Sequence, residues 1–419
     1  ISKKLVTLKK DVPIKNEITD FKLKEIDKKK LYNFLREMEF NRLLSSVIST
    51  YGDIGFEIDK KVEKNKDQKI NNKNYQLIEN EKDIDKYLKE AEEYGEFAID
   101  TETTSLDPHQ ANLVGISLST KLGSACYIPL GHLSEKNLDE KSVIKKIKPI
   151  LEDKSIKKIG QNIKFDYIVL YHRGIDMNSM EDTMLMSYVL DAGKNRHNMD
   201  TLSQIHLEHK TTSYKDLVGS GKKQINFKEV DLNLAKNYAA EDADVTFRLY
   251  KIFIKNLKSE KLVNIYEIFE KPLIKILANM EINGIKVDSN FLKTLSKKFE
   301  IKIKNLEKEI FKISKKEFNI GSTKQLGEIM YNDLKIANTK KTKKGSFATS
   351  AQVLEDLSFK GHKFPKLVLD WRQVTKLKNT YSDSLQEHIN KKSKRVHTSF
   401  LLAATSTGRL ASSDPNLQN

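Results

Sequence analysis

Two rhythms of apolar and polar positions run along this 419-residue chain, and one gives way to the other near residue 250. Between about 76 and 250, short apolar runs alternate with stretches whose apolar residues recur every three or four positions. EFAID and NLVGISLST predict neighbouring strands, CYIPL another and KKIGQN a short one. DEKSVIKKIKPILED, KFDYIVLYHRG and the long DLNLAKNYAAEDADVTFRLYKIF carry the helical period. Strands alternating with helices in this way predict a mixed α/β domain.

Outside that region the helical period dominates. Residues 1–59 hold one amphipathic pattern, KKKLYNFLREMEFNRLLSSV, apolar at Leu31, Phe34, Leu35, Met38, Leu43 and Leu44, which predicts a single helix. Residues 60–75, KKVEKNKDQKINNKNY, hold almost nothing apolar and predict a solvated linker. Beyond 250, FEKPLIKILANMEING predicts a helix stopped at Gly284. NFLKTLSKKFEIKIKNLEKEIFKI predicts a long one with its stripe at Phe291, Leu292, Leu295, Phe299, Ile303, Leu306 and Ile310. Ser322 is a suitable N-cap for STKQLGEIMYNDL. A further helix, LVLDWRQVTKLKNTYSDSLQEHI, precedes RVHTSFLLAATSTGRL, which predicts extended chain. No internal repeat is present.

With 38% hydrophobic and 32% charged residues, the composition is that of a globular chain, neither membrane-embedded nor disordered. No apolar run is long enough to span a bilayer, and ISKKLVTLKKDV is too charged for a signal peptide. A single cysteine, Cys126, precludes an internal disulfide framework, fits a reducing compartment and leaves no Cys set for structural zinc. The net charge of +16 is unevenly spread. Lys/Arg against Asp/Glu runs 18 to 12 over residues 1–75, 23 to 29 over 76–250 and 33 to 17 over 251–419. An AT-rich genome accounts for part of the lysine excess, but not for an acidic middle beside a basic end. The basic segment suits a polyanion; the acidic one suits a different task, such as holding metal ions. The start at Ile1 and the stop at NLQN lead us to expect a slice of a longer protein.

The sharpest chemistry lies in three acidic stretches. FAIDTETTSLDP places Asp100 and Glu102 at the end of a buried run, two apart and so on one strand face. Like charges that close repel, and their burial is costly unless something positive lies between them. NIKFD puts Asp166 at the start of a helix, and YAAED sets Tyr238 and Asp242 on one helical face. Glu241 and Asp244 point elsewhere and are expected to be solvated. Singly, such acids are usually caps or complements to a helix dipole. In the order D-x-E, N-x-x-x-D, Y-x-x-x-D they are far more specific.

Together these stretches resemble the Exo I, II and III motifs of the DEDD superfamily of 3'-5' exonucleases, in its tyrosine-bearing branch. The resemblance implies a ribonuclease H-like fold. It also implies two divalent ions, Mg2+ or Mn2+, held by Asp100, Glu102, Asp166 and Asp242, with Tyr238 orienting the attacking water. The chemistry agrees: hard cations prefer carboxylate oxygen, and two of them can activate water and stabilise the leaving 3' oxygen. Nearby, Leu106 is a candidate wedge against terminal bases. Gln161 and Asn162 are candidate contacts to phosphate or sugar, and Tyr214 is a candidate stacking surface. Core packing is the competing reading of Leu106 and Tyr214.

The ending TSTGRLASSDPNLQN closely resembles a segment of family A DNA polymerases. The likeness continues, in order, through FLREMEFNRLL, FEKPLIKILANMEINGIKVD, FNIGSTKQL and WRQVTKLKNTY. It implies the end of a 5' nuclease region over 1–75, an exonuclease domain over 76–255, and a mostly helical thumb with the start of the palm over 256–419. The fingers, most of the palm and the polymerising carboxylates would lie beyond the chain. Lys340, Lys341, Lys343 and Lys344 form a basic loop that would grip duplex DNA or is simply a solvated turn. Arg372 and Lys376 share a helix face that can reach phosphates. Arg409, after a glycine, can reach minor-groove acceptors, with Asn416, Gln418 and Asn419 adding polar contacts. The implied partners are primer-template duplex and a single-stranded 3' end, with deoxynucleotides only in a full-length parent. The expected setting is a monomer in bacterial cytoplasm, at the nucleoid, or in an organelle of bacterial descent. Two alternatives remain: a stand-alone ribonuclease D-type exonuclease acting on RNA, or a DNA-binding scaffold with an inactive exonuclease. TGRLASSDPNLQN speaks against the first, and the intact acids against the second.

Overall fold

A computed structural model describes residues 25–38, 40–52, 74–133, 136–336 and 347–418, with a few isolated positions before residue 74. The basic loop at 340–344 and Asn419 lie outside the described residues, as does most of the linker stretch. The chain divides into two compact units, residues 1–67 and 68–419.

In the first unit the single expected helix is two, α1 (Lys28–Glu37) and α2 (Asn41–Tyr51). The Met38 N–H closes α1 on the Phe34 and Arg36 carbonyls. The break lets Phe40 meet Phe34 edge-on, with ring centroids 6.3 Å apart. A continuous helix would have carried Leu44 to the side opposite Leu35, so one uninterrupted period could not bury both.

The second unit begins with β1 (Gln76–Leu77), α3 (Glu81–Tyr94), β2 (Glu96–Thr103), β3 (Leu113–Lys121) and β4 (Ser124–Pro129). There follow α4 (Glu140–Glu152), β5 (Lys157–Gly160), α5 (Lys164–Tyr171), β6 (Met180–Asp182), α6 (Thr183–Asp191), α7 (Met199–His206) and α8 (Tyr214–Val218). The domain closes on the 28-residue α9 (Leu232–Ser259). The strands form one mixed sheet in the order β1-β4-β3-β2-β5-β6. β2 is antiparallel to β3 and parallel to β5, which puts it in the middle, where both of its faces can be covered. α9 lies along β2, β3 and β4. Tyr75, the last residue of the stretch expected to be solvated, is in fact buried beside Ala125 and Ala240. Its hydroxyl donates to Asp244, a partner 169 residues away.

A wide helical turn, Tyr266–Glu270, leads into α10 (Lys271–Asn283), which Gly284 ends as expected. α10 and its approach are fastened to the sheet domain by polar ties. The Tyr266 hydroxyl donates to Glu181 and accepts from the Asp182 N–H, each at 2.9 Å. Lys271 pairs with Glu181 at 2.6 Å, and buried Lys164 on α5 pairs with buried Glu281. Beyond lie β7 (Ile285–Lys286), α11 (Ser289–Ser314), α12 (Thr323–Glu328), α13 (Ala351–Phe359) and α14 (Lys363–Lys376), with Ser322 capping α12. These helices share a second core that includes Ile310, Leu326, Met330, Leu354 and Val368. Of the α11 stripe only Ile310 is buried, and Phe291 is 63% exposed, so most of that helix reaches beyond its core. The expected extended ending is strand only at β8 (Arg395–Val396) and β9 (Ser399–Leu401); Thr405–Arg409 is a turn, and β10 (Ala411–Ser413) returns antiparallel to β9. The architecture is the expected mixed α/β domain followed by a mostly helical region. Among the described residues no helix is long and apolar enough to cross a membrane.

Candidate active site

β2 delivers Asp100 and Glu102 at its end, where the register against β3 slips between Glu102 and Thr103. Gly115 faces Glu102 across that pair and leaves room for the Tyr127 ring; a Cβ there would meet the Tyr127 hydroxyl at 2.1 Å. α9 brings Asp242 to the same point. Carboxylate oxygens of Asp100, Glu102 and Asp242 all lie within 4.8 Å of one another. Glu102 and Asp242 are buried and Asp100 half-buried. The Asp242 Oδ1 is buried without a hydrogen-bond partner. Asp166, from α5, stands beside this trio rather than within it. Its Oδ1 accepts from the Thr101 N–H at 3.0 Å and the Thr101 hydroxyl at 2.6 Å, which locks α5 to β2 between the two strand acids.

Burial pushes the Asp100 carboxyl up to about 6. Burial, then Asp100 and Asp166, raise Glu102 well above the usual carboxylate range. Asp166 is raised by burial and then by Asp100, and Asp242 by burial and then by Asp100 and Glu102. Desolvation disfavours every one of these charges, and at Glu102, Asp166 and Asp242 the neighbouring carboxylates add to it. A set of oxygen donors that repel one another, one with a buried unused lone pair, fits a hard divalent cation. Tyr238, one turn before Asp242, packs against Phe227 and Tyr214 with ring centroids 5.9 and 6.2 Å away. Burial, then Asp242, Glu102 and Asp100, hold its phenol far above its ordinary value. It stays protonated, so it can orient a water but not deprotonate one.

Leu106 is 95% exposed and Tyr214 is 41% exposed, so neither is a core residue. Tyr214 stacks on Phe227 with an interplanar angle of 8° and meets Tyr238 edge-on. Asn162 is exposed in a left-handed conformation, φ 60°, held by its N–H donating to Asp182 at 3.0 Å. Gln161 departs from expectation. Its amide donates to the His197 carbonyl at 2.7 Å and accepts from the Thr183 hydroxyl at 2.5 Å, so the side chain is committed internally.

Asp244 and Glu241 also overturn their expectation. Asp244 is fully buried and accepts from the Tyr75 hydroxyl at 3.0 Å, the Gly123 N–H at 2.7 Å and Arg248 at 3.0 Å. Glu241 accepts from the Thr212 N–H at 2.8 Å and sits 2.8 Å from His209 Nε2. Arg248, four residues after Asp244, was the only local sign of this buried pair.

In the basic half, Lys376 and Arg409 are exposed, Arg409 directly after Gly408 at φ +76°. Arg372 is half-buried, and its Nη1 donates to the Thr349 carbonyl at 2.8 Å. Asn416 and Gln418 mainly brace their own loop: Asn416 accepts from the Gln418 N–H at 2.9 Å, and the Gln418 amide donates to the Leu410 carbonyl at 2.8 Å.

Residues 75–258 match the family model for 3'-5' exonuclease, and residues 289–419 match that for DNA polymerase family A. DNA polymerase I of Rhizobium leguminosarum is 45% identical over 357 residues, 80% of this chain and 35% of that protein. DNA polymerase I of Pseudomonas aeruginosa is 38% identical over 428 residues, covering 100% of this chain and 46% of that protein. The chain thus spans less than half the length of these curated relatives. Among solved structures, the POL domain of Pol1 from M. smegmatis, in complex with DNA primer-template and dNTP, superposes with a TM-score of 0.66 at 25% identity, over 82% of this chain and 55% of that one. Both family matches thus fall in this order on one chain: a 3'-5' exonuclease region ahead of a region that matches DNA polymerase family A.

Proposed function

We propose that the sheet domain hydrolyses the 3'-terminal phosphodiester of single-stranded DNA, and that the helical region after it holds primer-template duplex. In this reading residues 1–75 are the end of a 5' nuclease region, 76–255 the exonuclease domain, and 256–419 the thumb with the start of the palm. The observation that carries it is the convergence of Asp100, Glu102 and Asp242 oxygens within 4.8 Å, with the Asp242 Oδ1 left over. These three, with Asp166 at their side, would hold two divalent cations, Mg2+ or Mn2+, which supply a nucleophilic hydroxide and stabilise the leaving oxygen.

The chain's own residues do the rest. Thr101 fixes Asp166 against β2, so the ligand set moves as one body. The protonated Tyr238 phenol orients the attacking water. Leu106, projecting into solvent, wedges between terminal bases, and the open face of Tyr214 stacks a base. Exposed Asn162 contacts phosphate or sugar beside them. Arg409 and Lys376, both exposed, meet the duplex, together with the lysines at 340–344, Arg372, and the polar residues Asn416, Gln418 and Asn419. The complex named for the M. smegmatis relative supports DNA as the partner. A ribonuclease D-type reading leaves the match over 289–419 without a purpose. We place the protein as a monomer in bacterial cytoplasm, its parent using deoxynucleotides.

The test is degradation of a 5'-labelled single strand with Mg2+ or with EDTA, alongside Asp166→Ala and an RNA strand of the same sequence. We expect a metal-dependent ladder that shortens from the 3' end, is lost in the variant and is stronger on DNA. A preference for RNA, or no hydrolysis at all, would overturn the reading.

A further inference from the structure

The turn that presents Arg409 is not held by the helical region alone; it is seated on the sheet domain. Leu402, just before it, is buried in the same core as β2, β5 and α9, and Leu410, just after it, packs on that core. Between these anchors Tyr188, from α6, closes on the turn with one atom. Its hydroxyl donates to the Thr405 carbonyl at 2.8 Å and accepts from the Gly408 N–H at 3.0 Å. The Thr405 hydroxyl donates in turn to the Arg409 carbonyl at 2.8 Å, so the turn is closed on itself as well as clamped. A second contact reinforces the first. Gly193, just past α6 at φ +81°, lies so close that a Cβ there would meet the Ser406 Cβ at 2.9 Å.

Tyr188 is itself fixed from the exonuclease side. It is buried, and its ring meets His197 edge-on, with centroids 5.6 Å apart and planes at 86°. His197 Nδ1 lies 2.9 Å from the Ser187 hydroxyl, and its carbonyl accepts from Gln161, the residue before Asn162. The same short segment therefore touches Gln161, next to the candidate contact Asn162, and the turn that carries Arg409.

We propose that Tyr188 is a positioning residue for the Arg409 turn, so that the exonuclease domain sets where duplex DNA is read. The proposal rests on the reading of Arg409 as a duplex contact. Tyr188→Phe removes the hydroxyl and both of its hydrogen bonds while keeping the ring that His197 packs on. Each such bond has a modest net worth, so the dissociation constant for a primer-template duplex is expected to rise about 10-fold. kcat and KM for single-strand hydrolysis should not move, and the thermal midpoint should fall by no more than the few degrees that two such bonds are worth.

The decisive measurement is a double-mutant cycle with Arg409→Ala, followed by fluorescence anisotropy of a labelled duplex. If Tyr188 acts through the turn, Tyr188→Phe adds little once Arg409 is gone. Gly193→Ala, strained in its backbone and crowding Ser406, should weaken duplex binding in the same non-additive way. If Arg409→Ala alone leaves duplex binding intact, the duplex reading of the turn fails and this proposal fails with it. If Arg409→Ala weakens binding but Tyr188→Phe does not, or their effects simply add, the duplex reading stands and the positioning role is overturned. A drop in single-strand kcat for Tyr188→Phe would likewise make the hydroxyl a general structural tie and overturn the proposal.

Discussion

Replacing Asp242 by asparagine separates two things its carboxylate does. Without a divalent cation it adds a like charge to Asp100 and Glu102 in a place where burial already disfavours every charge. With a cation it is a ligand whose buried Oδ1 has no other partner. Asp242→Asn should therefore melt higher than the parent in EDTA, by about 2–4 °C for each kcal/mol of repulsion removed. In Mn2+ it should lose the stabilisation the metal gives the parent, and hydrolysis should fall by more than about 100-fold, since even outer-shell partners of a metal ligand are worth about 10- to 100-fold. Melting curves with and without metal check the first half, and a 5'-labelled strand the second. A lower melting point in EDTA would mean that the three acids do not strain one another as their closeness implies. A neighbouring carboxylate behaves in the opposite way. Asp244 is the shared acceptor of Tyr75, Gly123 and Arg248, so Asp244→Ala should cost about 3–5 kcal/mol, the usual effect of breaking a buried pair. Urea titration reads this directly, and Asp244→Asn, which keeps an acceptor, should cost less.

At the scale of elements, the loop after β2 meets the end of α5 and the link between β8 and β9 through three histidines. His109 Nδ1 lies 3.1 Å from His172 Nε2, and the His109 ring is tilted against His397 with centroids 4.4 Å apart. Burial first, then the neighbouring His397, push His109 down to about 4 from 6.5; His172 and Lys164 act in the same direction and Asp107 against it. At His109 the unfolded chain therefore binds more protons than the fold between about pH 6.5 and 4, so this group's contribution to stability rises with pH through that window. The raised carboxyls of the acidic cluster act in the opposite sense when no metal is bound. The His109 contribution is complete above 6.5 and is lost as pH falls through 4. Urea midpoints in EDTA at pH 7 and pH 5 isolate the His109 share by comparison: His109→Gln should lower the pH 7 minus pH 5 difference relative to the unaltered chain, since the acidic cluster contributes equally to both. An unchanged difference would mean that the cluster takes up its proton without strain. The fastening matters because α10 ends here: the His397 Nδ1 lies 2.7 Å from the Glu281 carbonyl, and Glu281 also accepts from the Phe400 N–H of β9.

For the whole molecule, the layers and the order of the acids were readable from the sequence because each depends on local pattern: short apolar runs for β2 and β3, which are buried on both faces, and helical spacing for α9. What escaped depends on partners far along the chain. Asp244 reads as one more solvated acid until Tyr75 and Gly123, 169 and 121 residues away, are brought against it. Gln161 reads as a free amide until Thr183 and His197 take both of its ends. The charge asymmetry was visible at once, and it leads to a prediction that separates two kinds of contact. Residues 251–419 carry 33 Lys/Arg against 17 Asp/Glu, so duplex binding should be driven largely by counterion release and fall steeply with salt. In the proposed reading Lys376, exposed on α14, meets a phosphate, whereas Arg409, exposed on a turn after Gly408, meets groove acceptors. Lys376→Ala should weaken binding and reduce the log–log salt slope by about 1, one phosphate's worth of released counterion. Arg409→Ala should weaken binding by a similar factor at every salt concentration and leave the slope alone. Anisotropy titrations of one labelled primer-template between about 50 and 200 mM salt distinguish the two. If Arg409→Ala flattens the slope as Lys376→Ala does, Arg409 grips the backbone, and discrimination of base-pair shape must lie elsewhere in the chain.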